Sequence, residues 1–364
     1  MDMLVAYSLT QCAHAVPGGS AVAALEMAAA LRSAPTPTAI VSVGARRADR
    51  QPLDRLPSPW VQYQLPYPAI YELWNRTDRG ALDRLVPDAD VVHLTLAFCP
   101  ARRAKPQVCT VHDMFPLTHP ETLTPRGARV LRTGLERVIE RADLIATPSR
   151  ASKDELIAHG VDADRIRVVP WGATPAAFSD ADLEEVRERL ELPDSFVLFA
   201  GTIEPRKNLD VLLAAMEHVD EAVHLVLVGP VGWGEVSNRI PGMTAERVHV
   251  LGSQTRSDLL ALMAMASAVA MPSVAEGFGL PALEAMAQGT PVIHSQTPAL
   301  REVVGTAGPA IAADDVVGWA TEMDSFVLDS DRAQALGQVA TERAAPQTWN
   351  RTAELMRAVY EELV

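Results

Sequence analysis

Two glutamates flank a glycine-rich helix start in the segment EGFGLPALEAM, residues 276–286. Glu276 opens the segment, and Glu284 lies one turn inside the predicted helix. The turn between them consists of Gly277, Phe278, Gly279 and Leu280. Glycine lets a backbone approach a ligand closely, and the N–H groups and positive dipole end of a helix start suit a phosphate. Because carboxylates repel phosphate, we expect Glu276 to accept a hydrogen bond from a sugar and Glu284 from a ribose. The pattern favours a nucleotide-sugar site, although taken alone it is more often an ordinary turn with a solvated Glu284.

A second turn carries two cations, in FAGTIEPRKNLDVL, residues 199–212. A predicted strand ends at Gly201, Arg206 and Lys207 follow, and a helix begins with a cap near Asn208. Arginine can bind a phosphate through two parallel hydrogen bonds, and lysine acts as a point charge. The pair could therefore neutralise a diphosphate, and the alternative is a pair of exposed loop cations.

A third glycine-rich helix start lies near the N-terminus, in VPGGSAVAALEMA, residues 16–28. Gly18 and Gly19 precede the predicted helix, and Ser20 is a candidate cap. A pair of glycines before a helix is weak support for a ligand site by itself. Three strand-end turns with glycines or cations on one chain support such a site much more strongly.

Short apolar strands that alternate with helical segments position these turns. The first series of predicted strands covers residues 3–8, 38–43, 91–96, 106–112, 144–149 and 166–170. The second series covers residues 195–201, 223–229, 247–252, 268–273, 290–295 and 309–313. Near-continuous apolar strands separated by helices predict parallel sheets that are covered on both faces.

Two such series predict an α/β protein with two Rossmann-like, doubly wound domains facing a deep cleft. The break lies near residues 168–186, where proline and glycine interrupt the strand pattern before a charged helix. We therefore place an N-terminal domain at 1–172 and a C-terminal domain at 173–348. The last helix, about 349–364, is a candidate to fold back onto the first domain.

Charge is distributed unevenly along the 364 residues. Residues 171–364 carry 28 acidic and 12 basic side chains, which argues against a nucleic-acid partner. The basic run at 126–141 is expected to be a solvated helix face; the alternative is a surface that meets anionic lipid or an acidic acceptor. We expect a cytoplasmic protein, with peripheral contact at the inner membrane face as the alternative.

The cysteines and histidines show no metal-binding pattern. Three cysteines without CxxC spacing indicate reduced, buried thiols in place of a disulfide framework. Packing roles are expected for His14, His93, His224 and His294. No metal site is therefore predicted.

The motifs together resemble the retaining glycosyltransferases of family 4, which have the two-domain GT-B fold. The segments 201–209 and 272–293 carry most of the resemblance, and the second contains the two glutamates separated by seven residues. It continues through 110–121, 142–156 and 247–266, in the order of that family. It implies that the second domain binds a nucleotide-sugar and the first binds the acceptor, with no cofactor.

The resemblance also implies roles for single residues. Glu276 matches the glutamate that contacts the sugar, and Glu284 matches the one that contacts the ribose. Lys207 matches the phosphate lysine, with Arg206 assisting, and His112 matches a histidine near the donor sugar. Residues matched to donor or nucleotide contacts are Gly18, Gly19, Gly201, Thr202, Gly252, Ser253, Gln254, Gly277, Phe278, Gly279 and Leu280. The chain departs from many relatives at Thr202, where they carry an arginine.

The expected reaction moves a hexose from a nucleoside-diphosphate sugar to a hydroxyl of a glycan, lipid-linked or small-molecule acceptor. The motifs favour GDP-mannose as the donor and a polysaccharide or lipid-linked acceptor, with UDP-sugars as the alternative donors. A sugar-nucleotide epimerase and a non-catalytic nucleotide-sugar-binding protein are the alternatives.

Overall fold

The computed structural model describes residues 3–13, 18–46, 59–77, 79–100, 104–236 and 246–364. The chain forms two compact units. Unit 1 combines Met1–Gly172 with Trp349–Val364, and unit 2 is Ala173–Thr348. His14 lies outside the described residues.

Unit 1 is built on a seven-stranded parallel sheet with the order β3-β2-β1-β4-β5-β6-β7. Its strands are β1 (Leu4–Ser8), β2 (Ala39–Arg46), β3 (Trp60–Pro66), β4 (Val91–Leu94), β5 (Gln107–Thr110), β6 (Leu144–Thr147) and β7 (Ile166–Val168). Its first helices are α1 (Gly19–Ser33), α2 (Tyr67–Arg76), α3 (Phe115–Thr118), α4 (Pro125–Arg141) and α5 (Arg150–Ala158). The central strands β4, β5 and β6 are buried along their whole length, which explains their continuous apolar sequences.

The structure adds one strand that the sequence pattern did not predict. Strand β3 pairs with β2 at the edge of the sheet, and only Tyr63 among its residues is buried. An edge strand needs no continuous apolar run, because much of it faces solvent. The apolar criterion therefore finds the inner strands and misses this one.

Unit 2 is built on a six-stranded parallel sheet with the order β10-β9-β8-β11-β12-β13. Its strands are β8 (Phe196–Ala200), β9 (His224–Val228), β10 (Val248–Gly252), β11 (Ala268–Met271), β12 (Val292–Ser295) and β13 (Ala310–Ile311). Its helices within the described residues are α6 (Asp180–Leu190), α7 (Leu209–Ala215), α8 (Arg256–Met265), α9 (Leu280–Ala287), α10 (Pro298–Val304), α11 (Val316–Leu328) and α12 (Ser330–Ala344). Two parallel α/β sheets of this kind confirm the predicted Rossmann-like fold class.

Each sheet reverses its strand order once. In unit 1 the reversal lies between β1 and β4, and in unit 2 it lies between β8 and β11. In open α/β sheets, ligands bind outside the carboxyl ends of the strands at such a switch point. A ligand site is therefore expected in the loops that follow these four strands.

The basic run at 126–141 forms helix α4, which packs through Gly134, Leu135 and Val138. A Cβ at Gly134 would lie 2.5 Å from the carbonyl oxygen of Ala97, so the helix backbone sits close to the loop after β4. An i, i+4 ion pair joins Arg132 to Glu136 on the exposed side of the helix. The lipid contact suggested for this helix stays a prediction.

The last helix, α13 (Trp349–Glu361), belongs to unit 1 and packs against α1. Its Tyr360 hydroxyl lies 2.7 Å from Nδ1 of His93 on β4, and His93 Nε2 lies 2.7 Å from the Thr110 hydroxyl on β5. Both ring nitrogens of a fully buried histidine are thus hydrogen-bonded. His93 has the packing role that the sequence indicated, and it ties the end of the chain to the sheet.

We predict that His93 makes unit 1 sensitive to acid. Burial lowers the pKa of His93 from 6.5 to about 3. Between pH 3 and pH 6.5 the unfolded chain holds a proton on this histidine that the folded chain lacks. The contribution of buried, neutral His93 to the free energy of unfolding is therefore complete above pH 6.5 and declines toward pH 3. Denaturant unfolding of His93→Gln should therefore show a pH slope smaller than that of the wild type by about 1.4 kcal/mol per pH unit between pH 5.5 and 4. Equal slopes for the two proteins would contradict this role.

Candidate functional site

A buried ion pair bridges the two strands at the switch point of unit 2. Lys207 ends a short 3₁₀ helix, Pro205–Lys207, in the loop after β8, and Glu276 lies in the loop after β11. Lys207 Nζ donates to Glu276 Oε1 over 2.5 Å, and the Ser273 hydroxyl donates to the same oxygen over 2.7 Å. Two residues that are 69 positions apart in sequence therefore meet where this fold binds ligands.

The pair is almost fully removed from water. The Lys207 side chain is 10% exposed and that of Glu276 is 8% exposed. Burial alone would raise the pKa of the Glu276 carboxyl, but Lys207, Arg206 and the hydrogen bonds from Lys207 and Ser273 hold it at about 2. Burial lowers the pKa of the Lys207 ammonium, and Glu276 opposes that shift. Because the pKa of Glu276 lies far below neutral pH, its carboxylate is ionised under ordinary conditions.

Arg206 completes a neutral group of charges around this pair. Its NH1 lies 3.1 Å from Glu276 Oε2, and its NH2 donates to Glu204 Oε1 over 2.6 Å. NH1 also donates to the carbonyl of Ala275 over 2.9 Å. We call Glu204, Arg206, Lys207, Ser273 and Glu276 the Lys207 cluster. Its two cations balance its two carboxylates, so a diphosphate that binds here adds charge to a group already neutral.

Two members of this cluster escaped sequence reasoning. Glu204 stands two residues before Arg206 in the same turn, and that spacing was available as a signal. Ser273 ends the predicted strand before Glu276, and nothing in its type distinguished it. The cap expected near Asn208 also differs: its side chain makes no cap hydrogen bond and donates instead to the carbonyls of Pro272 and Ala313.

The glycine turn after Glu276 has the backbone form that its sequence indicates. Helix α9 begins at Leu280 with Pro281 in its first turn, and Gly279 precedes it with φ of 102°. The positive φ favours glycine at this position, and a Cβ at Gly279 would also lie 2.6 Å from the end of the Leu300 side chain, which would have to move. Gly277, Phe278 and Leu280 are buried around this turn.

The ion pair described for Glu284 is made to a residue outside the Lys207 cluster. It is buried on α9, and its Oε1 lies 2.7 Å from NH2 of Arg256, the first residue of α8. The contact is an ion pair whose geometry falls short of a well-aligned hydrogen bond. Sequence reasoning missed Arg256, because a charged residue in a first helical turn is common on any surface.

The remaining predicted residues of unit 2 lie at the carboxyl ends of β8 and β10. The backbones of Gly201 and Gly229 are in close contact: a Cβ at Gly229 would lie 1.9 Å from the Gly201 carbonyl oxygen. Thr202 follows Gly201 directly. Gly252 ends β10 with φ of 66°. Ser253 is exposed, and the Gln254 amide donates to the Leu251 carbonyl over 2.7 Å.

In unit 1 the predicted residues lie at the carboxyl ends of β1 and β5. Gly18 and Gly19 are exposed at the start of α1, and a Cβ at either would meet no atom within 4 Å. His112 Nε2 donates to the Thr95 carbonyl over 2.8 Å, and the ring packs beside Trp171. Burial lowers the pKa of His112 to about 4, so the ring is neutral and its Nδ1 carries a lone pair.

Neither a metal-ligand cluster nor a helix that could span a membrane occurs in the described ranges. Those residues contain no group of three or more histidine, cysteine or acidic side chains placed to hold a metal ion. The three cysteines, all described, are buried thiols. None of the described helices combines the length and the apolar character that crossing a bilayer demands.

Comparison with known proteins adds family information to this geometry. A family model described as Glycosyltransferase Family 4 matches residues 17–176, and one described as Glycosyl transferases group 1 matches residues 194–329. A D-inositol 3-phosphate glycosyltransferase of Xylanimonas cellulosilytica is 34% identical over 277 residues, which cover 70% of this chain and 66% of that protein. The matches span 53 to 66% of the length of the curated relatives.

Solved structures share the fold over nearly the whole chain. Sucrose-phosphate synthase from Thermosynechococcus elongatus superposes with a TM-score of 0.78 at 20% identity, covering 99% of both chains. HepE from Anabaena, solved with UDP and glucose, superposes with a TM-score of 0.76 at 20% identity, covering 99% of this chain and 100% of that one. Two successive family models, relatives of one name and a shared two-sheet architecture show that this chain belongs to the family 4, group 1 glycosyltransferases of GT-B fold.

Proposed function

We propose that the chain transfers a hexose from a nucleoside-diphosphate sugar to a hydroxyl acceptor with retention of configuration. The observation that carries the proposal is the buried Lys207–Glu276 ion pair at the switch point of unit 2, on a chain of this family. Unit 2 is the proposed donor domain and unit 1 the proposed acceptor domain. The relatives named D-inositol 3-phosphate glycosyltransferase support a small phosphorylated polyol as the acceptor, as an alternative to a glycan or lipid-linked one.

The proposed mechanism relies on electrostatic stabilisation more than on general acid or base catalysis. The acceptor oxygen forms a bond to the anomeric carbon while the bond from that carbon to the diphosphate breaks. An oxygen of the leaving diphosphate takes the acceptor proton on the same face. Lys207 and Arg206 stabilise the charge that develops on the leaving group, and the start of α9 contributes its dipole. Glu276, released from these cations by the phosphates, becomes an acceptor for a sugar hydroxyl.

The proposal is tested first by nucleotide binding. We expect one of GDP, UDP, ADP and dTDP to stabilise the chain most against heat, by about 2.7 kcal/mol at one hundred times its dissociation constant. GDP follows from the style of the motifs, and UDP is the ligand of the HepE structure. Slow release of free sugar from the matching donor, without acceptor, would separate an enzyme from a protein that only binds. If none of the four shifts the transition, the proposal fails.

Lys207→Ala should lower turnover about a hundredfold, the usual effect of removing one preorganised charge. The variant should still fold, because Arg206 and Ser273 continue to hold Glu276. Arg332→Ala is the matched control, since it removes the cation of another ion pair of unit 2, with Glu322. Turnover of Lys207→Ala within threefold of the wild type would remove Lys207 from the phosphate role.

The two glutamates should respond differently to substitution. Glu276→Gln leaves two cations with one carboxylate fewer, so it should bind nucleoside diphosphate at least as well as the wild type while losing turnover. Glu284→Ala should mainly weaken nucleotide binding, because it removes the ribose partner. Titrating both variants with the preferred diphosphate and measuring turnover gives the comparison, with Glu322→Gln as the control. The opposite ranking would exchange the two assignments.

A further inference from the structure

The side chain of Asn208 joins three loops at the carboxyl edge of the unit 2 sheet. Asn208 follows Lys207 directly, in the loop after β8. Its Nδ2 donates to the carbonyl of Pro272 over 3.2 Å and to the carbonyl of Ala313 over 2.7 Å. Pro272 follows β11 directly, and Ala313 lies just after β13. One amide therefore ties the turn that carries Lys207 to the loops that follow two other strands.

The backbone conformation of Asn208 separates the role of its side chain from that of the turn. Its φ of 52° and ψ of 40° lie in the left-handed region, which glycine adopts without steric cost. The described residues other than glycine that have a positive φ are Asn208 and Glu191. Glycine would suit this turn at least as well as asparagine. What asparagine adds is the pair of hydrogen bonds from its amide.

Three consecutive residues of the turn contact the loop after β11. The Arg206 carbonyl accepts from Val274 N over 2.9 Å, Lys207 pairs with Glu276, and Asn208 makes the amide bond described above. On the proposed function, the ion pair opens when the phosphates replace Glu276 at the ammonium. An interaction that opens cannot keep the ammonium in place afterwards. The amide bonds join neutral groups that a phosphate does not displace, so they hold the turn in both states.

We propose that Asn208 is a positioning residue, whose amide holds Lys207 in place for the diphosphate once the ion pair with Glu276 has opened. The inference rests on the proposed function, because it needs Lys207 at the phosphates. A displacement of about 1 Å at a group that takes part in the reaction can lower a rate about a hundredfold. Loss of the amide should therefore lower the rate, and it should do so only while Lys207 is present.

Two substitutions remove the amide bonds in different ways. Asn208→Gly keeps the left-handed backbone and removes the side chain. Asn208→Asp keeps the size of the side chain but presents an acceptor to each of the two carbonyls. If denaturant unfolding shows that one variant fails to fold, the other is used. Glu191→Gly is the matched control, because it makes the same change at the other left-handed residue, which is exposed at the end of α6.

Each substitution is combined with Lys207→Ala in a double-mutant cycle. Turnover is the release of free sugar from the glucose or mannose donor whose base, among GDP, UDP, ADP and dTDP, stabilises the chain best. With Lys207 present, Asn208→Gly should lower kcat about tenfold and leave the donor KM within about twofold, because the charge on the leaving group develops in the transition state. In the Lys207→Ala background the further loss should stay below about twofold. Glu191→Gly should leave kcat unchanged in both backgrounds.

The same cycle is run on the Kd of the free nucleoside diphosphate, which carries the charge that the leaving group develops. This Kd should rise about fivefold in Asn208→Gly and should not rise further when Lys207 is already alanine.

Failure of the inference is distinct from failure of the proposed function. If the wild type releases sugar and the Asn208 variants stay within twofold of it, the amide bonds serve the fold alone and the inference is overturned. It is also overturned if Asn208→Gly loses as much in the Lys207→Ala background as in the wild type, because the effect then does not act through Lys207. If the wild type releases no sugar, the proposed function fails, and the cycle on the Kd decides the inference. A wild type that binds none of the four diphosphates overturns both.

Discussion

The structure of unit 2 depends on compensating the buried charge of Glu276. A carboxylate that is 8% exposed is tolerated only if cations and hydrogen bonds replace the water it has lost. Lys207, Arg206 and Ser273 supply them, and they come from loops that follow two different strands. The backbone bond from Val274 N to the Arg206 carbonyl, 2.9 Å long, holds the two loops together. The ion pair and this backbone hydrogen bond therefore hold the two loops in position relative to each other.

The two units apply one architecture to different chemistry. Each sheet reverses its strand order once, and in each a side chain from one strand end is bonded to a group from the neighbouring strand end. In unit 2 the bonded groups are charged, and their two cations and two carboxylates balance one another. In unit 1 the hydrogen-bonded groups around Thr95 are neutral side chains and backbone carbonyls. The two sheets thus have polar contacts at corresponding positions, and the residue types at these positions differ in charge.

Sequence reasoning recovered the inner strands and the turns because both leave short-range signals. Continuous apolar runs mark buried parallel strands, and a glycine before a proline marks the start of α9. The partners across the sheet leave no such signal. The contact of Arg256 with Glu284 joins two helices, and the contact of Gln11 with Thr95 spans 84 positions. Such pairs depend on strand order, which the spacing of residues along the chain does not encode.

The departure at Thr202 acquires a physical meaning from the arrangement around Arg206. The family resemblance implies an arginine at that position, and the same turn carries Arg206 four residues later. Arg206 is already bonded to Glu204 and to the Ala275 carbonyl, so it cannot turn wholly toward a phosphate without breaking those contacts. If the proposed function holds, Lys207 and the start of α9, which has no side-chain cap, supply a larger share of the charge compensation. On the proposed function, a chain with one cation fewer in this turn should hold a diphosphate more through backbone N–H groups.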